Sequence, residues 1–155
     1  MDSIEDMVYL IMDEINSDIS YVNSKNNENA QFLTGIEVAI MISTGILSAF
    51  FTEFFKSFAT EIGNEAAKAT IIKLKQVNEK ITSDLKKRKH NREVYQTVQE
   101  YLPSELLNKV SIINKSYEYT NELIEIKDFL INNNFSEDKA EDISKKTIRI
   151  LTMGR

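Results

Sequence analysis

Apolar residues recur at steps of three and four along most of the chain, which is the spacing of an α-helix with one buried face. The first such stretch follows Ser3, an N-cap candidate with Asp6 three residues on, and so has the capping box of a helix start. Its apolar positions are Ile4, Val8, Ile11, Ile15, Ile19 and Val22. The pattern predicts an amphipathic helix at the beginning of the chain.

The next long apolar stretch predicts a different kind of helix, one that is hydrophobic on most of its sides. Thr34 and Glu37 have capping-box spacing, which places the helix start at about Gly35. Gly63 can end the helix, since glycine tolerates the backbone conformation found after a last helical turn. We therefore predict a central hydrophobic helix over residues 35–62.

Two environments suit this central helix, because a helix that is apolar on most sides is either buried in the core of a bundle or crosses a bilayer, and a bilayer span needs about 20 apolar residues. The uncharged run from Val38 to Thr52 is shorter than the roughly 18 residues typical of an inserted helix. Charge returns directly afterwards, at Glu53 and Lys56. We expect the helix to be the buried centre of a bundle, with conditional insertion into a membrane as the alternative.

Four further helical segments follow the central one. Their apolar positions predict a helix over residues 65–89, a short helix that ends before Pro103, one helix or two over residues 106–130, and a last helix through Leu151. Together they predict an all-α fold, a compact bundle of about six helices around the central helix, in a single domain over residues 1–155. This layout resembles those of the Bcl-2 fold and the pore-forming domain of colicins, where amphipathic helices wrap a very hydrophobic centre. The likeness concerns architecture, which does not imply function.

Composition supports this fold class and excludes several kinds of site. The 155 residues include one proline and four glycines, too few for the turns of a many-stranded sandwich or barrel. The chain has no cysteine, which excludes disulfide bonds, a thiolate nucleophile and cysteine-ligated metals. Its first ten residues are acidic, whereas a secretory signal begins with basic residues. The expected location is cytoplasmic, with membrane association as the alternative.

Small residues recur at four-residue spacing in and after the central helix. The three rows are Gly35, Ala39 and Ser43, then Gly45 and Ala49, then Ala59, Gly63 and Ala67. Such rows let the backbones of two helices approach closely, in membranes and in crowded soluble cores alike. We predict that these positions serve helix packing or self-association.

Charge is segregated along the chain, although the net charge is only −5. The first thirty residues contain seven acids and one lysine, whereas residues 63–92 contain nine lysines and arginines against three acids. The basic residues predicted to form a charged interaction face are Lys73, Lys80, Lys86, Lys87, Arg88, Lys89 and Arg92. We expect the first helix to lie beside the third, with Glu14 and Asp18 facing the lysines of that face.

No residue pattern indicates a catalytic, metal or cofactor site. The chain lacks glycine-rich phosphate loops, the HExxH zinc motif and the GxSxG nucleophile motif. His90 is the only histidine and lies in a basic run, so it has no second histidine with which to bind a metal. The acids of residues 137–142 suit the first turns of a helix and make only a weak divalent-ion pattern. We predict no catalytic residue, no metal and no cofactor.

Nucleic acid is a disfavoured partner, because the chain is acidic overall and Tyr95 is the only aromatic residue near the basic run. The sequence therefore favours a non-enzymatic helical protein–protein interaction module, such as an adaptor, an inhibitor or a regulatory domain. Its partner would be another protein or, through the small-residue rows, a second copy of the chain as a homo-oligomer. The alternative is a conditional membrane-inserting or pore-forming protein that uses the 35–62 helix, and an enzyme ranks third.

Overall fold

One long apolar helix lies at the centre of the fold, and other helices pack around it. The computed structural model describes residues 3–18, 35–87, 90–102, 104–111 and 116–152. In chain order its elements are α1 (Ile4–Ile15), a 3₁₀ helix (Asn16–Asp18), α2 (Gly35–Ser57), α3 (Ala59–Ile62), α4 (Asn64–Lys86), α5 (Asn91–Tyr101), α6 (Glu105–Ser111), α7 (Thr120–Asn132) and α8 (Glu137–Thr152). Every element in this described part of the chain is helical, which confirms the predicted all-α bundle.

α2 forms the core because its side chains are apolar on nearly every face. Fourteen of its 23 residues are buried, including the rings of Phe50, Phe51 and Phe54. Its length and composition would let it cross a membrane, and 78% of its most apolar 18-residue window is buried inside the protein. α1, α4 and α7 all pack on it. The prediction of a central hydrophobic helix is confirmed.

The central helix ends earlier than the sequence pattern suggests. The predicted span of residues 35–62 is divided at Phe58, whose φ of −116° and ψ of 28° leave the helical region. The backbone N–H groups of Phe58 and Ile62 still donate to the carbonyls four residues back, at 3.0 and 2.9 Å, so the chain bends and remains hydrogen-bonded. The Phe58 ring lies 5.0 and 4.8 Å from those of Phe54 and Tyr117. The bend thus coincides with aromatic packing, and no proline or glycine stands at it.

The expected pairing of α1 with α4 is wrong. The main contacts of α1 are with α2, α8 and α5, and the carboxylate of Glu14 pairs with the ammonium of Lys146 on α8 at 3.4 Å. α8 takes this place because its own apolar face, which includes Ile143 and Leu151, is buried in the same core. Exposed ion pairs contribute only about 0.2–1 kcal/mol, so charge segregation along a sequence does not decide where helices pack.

Several helix ends agree with the sequence. The capping box of Ser3 and Asp6 is present, with both hydrogen bonds at 3.1 Å. A further capping box starts α5, where His90 is the N-cap and Glu93 reaches back to its backbone. His90 therefore caps a helix, a role that its basic surroundings did not suggest. The stretch over residues 106–130 contains two helices, α6 and α7. Predicted features at Ile19, Val22, Thr34 and Pro103 lie outside the described residues.

Candidate functional site

A groove lies between α4 and α7, and α2 forms its floor; both α4 and α7 pack on α2. The wide part of the groove has a volume of about 670 Å³ and the narrow part about 300 Å³, and Asn78 lines both. The α4 wall consists of Lys75, Asn78, Glu79, Thr82, Ser83 and Lys86. The α7 wall consists of Glu125, Asp128, Phe129 and Asn132 in the narrow part, and of Asn133, the C-cap of α7, in the wide part. The floor consists of Met41, Gly45, Ser48 and Ala49.

The floor of the narrow part of the groove is built from short side chains on α2. Gly45 and Ala49 stand one helical turn apart, and Ser48 beside them donates its hydroxyl to the carbonyl oxygen of Leu74 at 2.5 Å, which ties α2 to α4. Gly45 lets α7 approach closely, because a Cβ at this position would lie 2.7 Å from Cε1 and Cε2 of Phe129. Such a distance is far inside van der Waals contact. The predicted close approach of another helix at Gly45 is confirmed.

The two walls of the groove carry charges of opposite sign. Lys75 and Lys86 are exposed on the α4 wall. Lys87, the C-cap of α4, lies next to Lys86 at the C-terminal end of this helix. The α7 wall presents Glu125 and Asp128, both exposed and close to one helical turn apart. A bound segment would therefore meet basic groups of α4 in the wide part and acidic groups of α7 in the narrow part. Such charge complementarity fixes orientation in protein complexes.

Asn78 lies where the two parts of the groove meet. Its side-chain oxygen Oδ1 is buried and has no hydrogen-bond partner among the described residues. A buried acceptor without a partner costs about 1–3 kcal/mol. The carboxamide can turn about its last side-chain bond, a soft torsion, to present this oxygen to the groove. A donor group on a bound segment would then satisfy it.

The predicted small residues occupy four environments. Ala39 and Ser43 are buried in the core, as Gly45 is. Gly35 is exposed at the first position of α2. Ala59 begins the single turn of α3, and Gly63 follows that turn with a φ of 113°, in the left-handed region that favours glycine. Only Ala49 is both part of these rows and partly accessible in the groove.

The described residues of the predicted basic face have different surroundings. Lys86 and Lys87 line the groove. Lys73 is directed elsewhere, with its ammonium 5.9 Å from the centroid of the Tyr101 ring, within the range of a cation–π contact. Lys80 is exposed on α4 and is not part of the groove lining. The charged interaction face is therefore divided between different sides of α4.

Arg92, the last of these residues that is described, belongs to a second cleft of about 480 Å³ between α1 and α5. The cleft contains Tyr9 and Tyr95, whose ring centroids are 5.3 Å apart. Burial raises the pKa of the Tyr95 hydroxyl, so this phenol stays protonated at physiological pH. The other residues that line the cleft are Glu5, Gln96 and Gln99. Arg88 and Lys89 lie outside the described residues.

A buried carboxyl group lies in the first turn of α7. The side chain of Glu122 is inaccessible to solvent, and both of its oxygens accept from the Tyr117 hydroxyl, at 2.9 and 3.0 Å. That hydroxyl lies 3.3 Å from Oγ of Ser57 at the end of α2. Removal from water raises the pKa of the Glu122 carboxyl, and the nearby charge of Glu53 acts in the same direction. An acid in the first turn of a helix is usually exposed, so the sequence gives no sign of this burial.

Replacing Glu122 by glutamine is expected to stabilise the protein at neutral pH. Because the folded-state pKa is raised above that of the unfolded chain, the stabilisation from proton binding is complete below the unfolded pKa and is lost as the pH rises through the folded pKa. Glutamine keeps an oxygen that accepts from Tyr117 and has no charge to bury. Denaturant unfolding should show E122Q more stable than wild type near pH 7 and similar to it near pH 4, with about 1.4 kcal/mol for each tenfold difference in proton affinity.

Glu141 provides a control, because the pKa of its carboxyl is shifted in the opposite direction to that of Glu122. Hydrogen bonding and charge from Lys145, and then the charge of Lys127, lower the pKa of its carboxyl. The stabilisation from Glu141 is therefore present above the unfolded pKa and is lost as the pH falls through the folded pKa. E141Q should lose stability near pH 7, where E122Q gains it. If E122Q followed the pH dependence of the wild type, the raised pKa of Glu122 would be contradicted.

The acids that begin α8 pair with lysines. Lys127 of α7 lies 3.5 Å from carboxylate oxygens of both Glu137 and Glu141. Lys146 lies 3.2 Å from Asp142. In the described part of the chain no group of three or more histidine, aspartate or glutamate side chains is placed to hold a metal ion. These acids thus connect α8 to α7 and to its own next turn.

Sequence reasoning missed the α7 wall of the groove. Glu125, Asp128 and Asn132 follow one another at steps of three and four, which is the spacing of a polar helical face. That spacing is the one sequence signal for the α7 wall, and it does not identify a binding surface because any solvated helix face has the same spacing.

Comparisons of the chain with models of protein families, with curated proteins and with solved structures find no match. The groove, the tyrosine cleft and the buried carboxyl group are therefore interpreted from their own geometry.

Proposed function

We propose that the protein is a non-enzymatic helical interaction module that takes a helix of another protein into the groove between α4 and α7. The observation that carries this proposal is the form of the groove, two helical walls over a floor whose side chains are short in the narrow part. Helix-in-groove binding uses this arrangement, in which an amphipathic helix lays its apolar face between two others.

The dimensions and lining of the groove support a helical occupant. Lys75 and Lys86 are eleven residues apart on α4, which is about 16 Å at 1.5 Å per residue and so about three helical turns. Partly exposed apolar surface is available at Ala49 and Phe129, next to hydroxyl and carboxamide groups. A mixture of apolar contact and convergent polar groups is typical of binding sites.

Selection of helix-forming peptides against the purified protein tests this proposal. Peptides displayed from a random amphipathic library should bind wild type, and A49R should weaken them at least tenfold, because a long side chain on the floor would fill the narrow part of the groove. N132R places an arginine at an exposed position on the α7 wall of the narrow part, and it should also weaken peptide binding at least tenfold. The matched control is A69R, an exposed alanine on α4 that is not part of the groove lining.

Thermal unfolding of each variant shows whether it is folded before binding is compared. Peptides that bind wild type, A49R and N132R equally would contradict the proposal. Light scattering of the protein alone adds a further outcome. A dimer that A49R and N132R dissociate, but A69R does not, would mean that a second copy of the chain occupies the groove, and the proposal of a different protein partner would be wrong.

Conditional membrane insertion is the second candidate function. The observation that favours it is the length and apolar composition of α2. Insertion would require α1, α4 and α7 to leave the surface of α2 that they cover in this fold.

A further inference from the structure

We infer that the groove selects a helix whose apolar stripe has acidic residues along one edge and basic residues along the other, with the acidic edge against α4 and the basic edge against α7. This inference rests on the proposed function and adds the chemistry of the partner. It follows from the charges of the two walls: lysines of α4 line the wide part of the groove, and acids of α7 line the narrow part.

The basic wall extends along the wide part of the groove. Lys75 and Lys86 lie near its two ends, with Lys87 beside the second, and Glu79 is the one acid among the α4 lining residues. Two helices packed side by side place the residues that flank each apolar stripe next to one another, as at the edges of a coiled coil. Glutamate or aspartate on the facing edge of a partner helix would therefore meet these lysines.

The acidic wall is shorter and faces the narrow part of the groove. Glu125 and Asp128 are exposed at neighbouring turns of α7, and the lining of the narrow part contains no lysine or arginine. A partner with lysines on its second edge would pair with both acids. A partner with acids on both edges would be repelled here, since like charges in contact are unfavourable.

The directions of the walls give the partner helix a preferred direction too. Ser48 of α2 bonds to Leu74, whereas Met41 lies beside Lys86, so α4 runs antiparallel to α2. Gly45 meets Phe129, whereas Phe54 lies 6.4 Å from Tyr119 between ring centroids, so α7 also runs antiparallel to α2. A helix with one acidic and one basic edge matches the walls in only one direction, because reversing it exchanges its two edges.

Two designed peptides of identical length, composition and apolar stripe test the inference. In the first, the acids are on one edge and the lysines on the other; in the second, both kinds of residue alternate along each edge. The first should bind wild type at least tenfold more tightly, and its advantage should decrease with added salt, which screens exposed charges. Reversing the basic wall with K75E and K86E should remove the advantage. The matched control is the pair K73E and K80E, on α4 outside the groove.

Reversal of both walls gives the decisive measurement. In a variant with K75E, K86E, E125K and D128K, the segregated peptide should regain its tenfold advantage and lie in the opposite direction. A nitroxide at the peptide N-terminus should accordingly broaden amide signals at the other end of the groove. Equal affinity of the two peptides, or an unchanged direction, would overturn the inference. If the inference failed in this way but A49R still abolished peptide binding, the groove would remain the binding site and the proposed function would stand. If A49R left the binding of both peptides unchanged, the proposed function would itself be contradicted.

Discussion

Replacing Phe50 by alanine is expected to lower the free energy of unfolding by about 3–5 kcal/mol, the cost of removing a fully buried phenyl ring from a packed core. Phe50 is inaccessible to solvent and contacts three other rings. It meets Phe51 edge-on at 5.1 Å between centroids and stacks on Phe54 and Tyr119 at 5.9 Å. Because Tyr119 precedes α7, the ring joins the middle of α2 to the start of α7. Chemical denaturation in detergent-free buffer, followed by circular dichroism, measures the loss.

Phe58 provides the control for this prediction. Its ring is partly exposed at the bend after α2, where it contacts Phe54 and Tyr117. F58A should therefore cost less than F50A, since part of the ring is already in water. If α2 faced lipid, F50A would change the free energy of unfolding much less, because either side chain at this position would contact hydrocarbon chains. Equal unfolding midpoints for wild type and F50A would contradict a core role for α2.

Replacing Gly45 by leucine is expected to lower the free energy of unfolding by about 1–3 kcal/mol through overpacking. Even the Cβ alone would overlap the ring of Phe129, so the ring must move or α7 must shift outward. The replacement also removes a flexible glycine from a helix, which gains about 0.5–1 kcal/mol and partly offsets the loss. Ala49, one turn on, is partly open to the groove, so A49L should cost less than G45L.

A double-mutant cycle with F129A tests the cause of the G45L effect. If the leucine clashes with the ring, removing the ring should relieve the clash, and G45L should cost much less in the F129A background than in wild type. Additive effects of the two substitutions would mean that Gly45 matters for another reason. Thermal melting of the four proteins in one buffer completes the comparison.

Hydrophobic periodicity was sufficient to predict the all-α fold and the buried central helix. Both depend on features within single segments, namely the six apolar positions of the first stretch and the uncharged run from Val38 to Thr52. The close approach at Gly45 could also be predicted, because a small residue marks a contact without revealing the partner. Its partner, Phe129, could not be predicted, since it lies in another helix and only the packed structure brings the two together.

The groove and the buried carboxyl could not be read from the sequence for the same reason. Lys86 lines the wide part of the groove and Asp128 the narrow part because α4 and α7 both pack on α2. Neither residue differs in sequence from an ordinary exposed charge. Glu122 occupies a first-turn position that usually faces water, and its burial depends on Tyr117 and the end of α2. The division of the predicted basic face has a similar origin, because the rotation of α4 about its axis decides which lysines enter the groove.

The arrangement of α4 and α7 on α2 also predicts which of these two helices packs on α2 first during folding. The Ser48–Leu74 contact closes a loop of 26 residues, whereas the contact of Gly45 with Phe129 closes one about three times as long, which costs about 1 kcal/mol more in chain entropy. The α2–α4 hairpin should therefore form before α7 docks, as local contacts do in helical proteins. During that interval the side of α2 that later meets Phe129 and Tyr119 is uncovered. A nascent chain should thus expose an apolar surface of α2 until α7 has been synthesised and has docked on it.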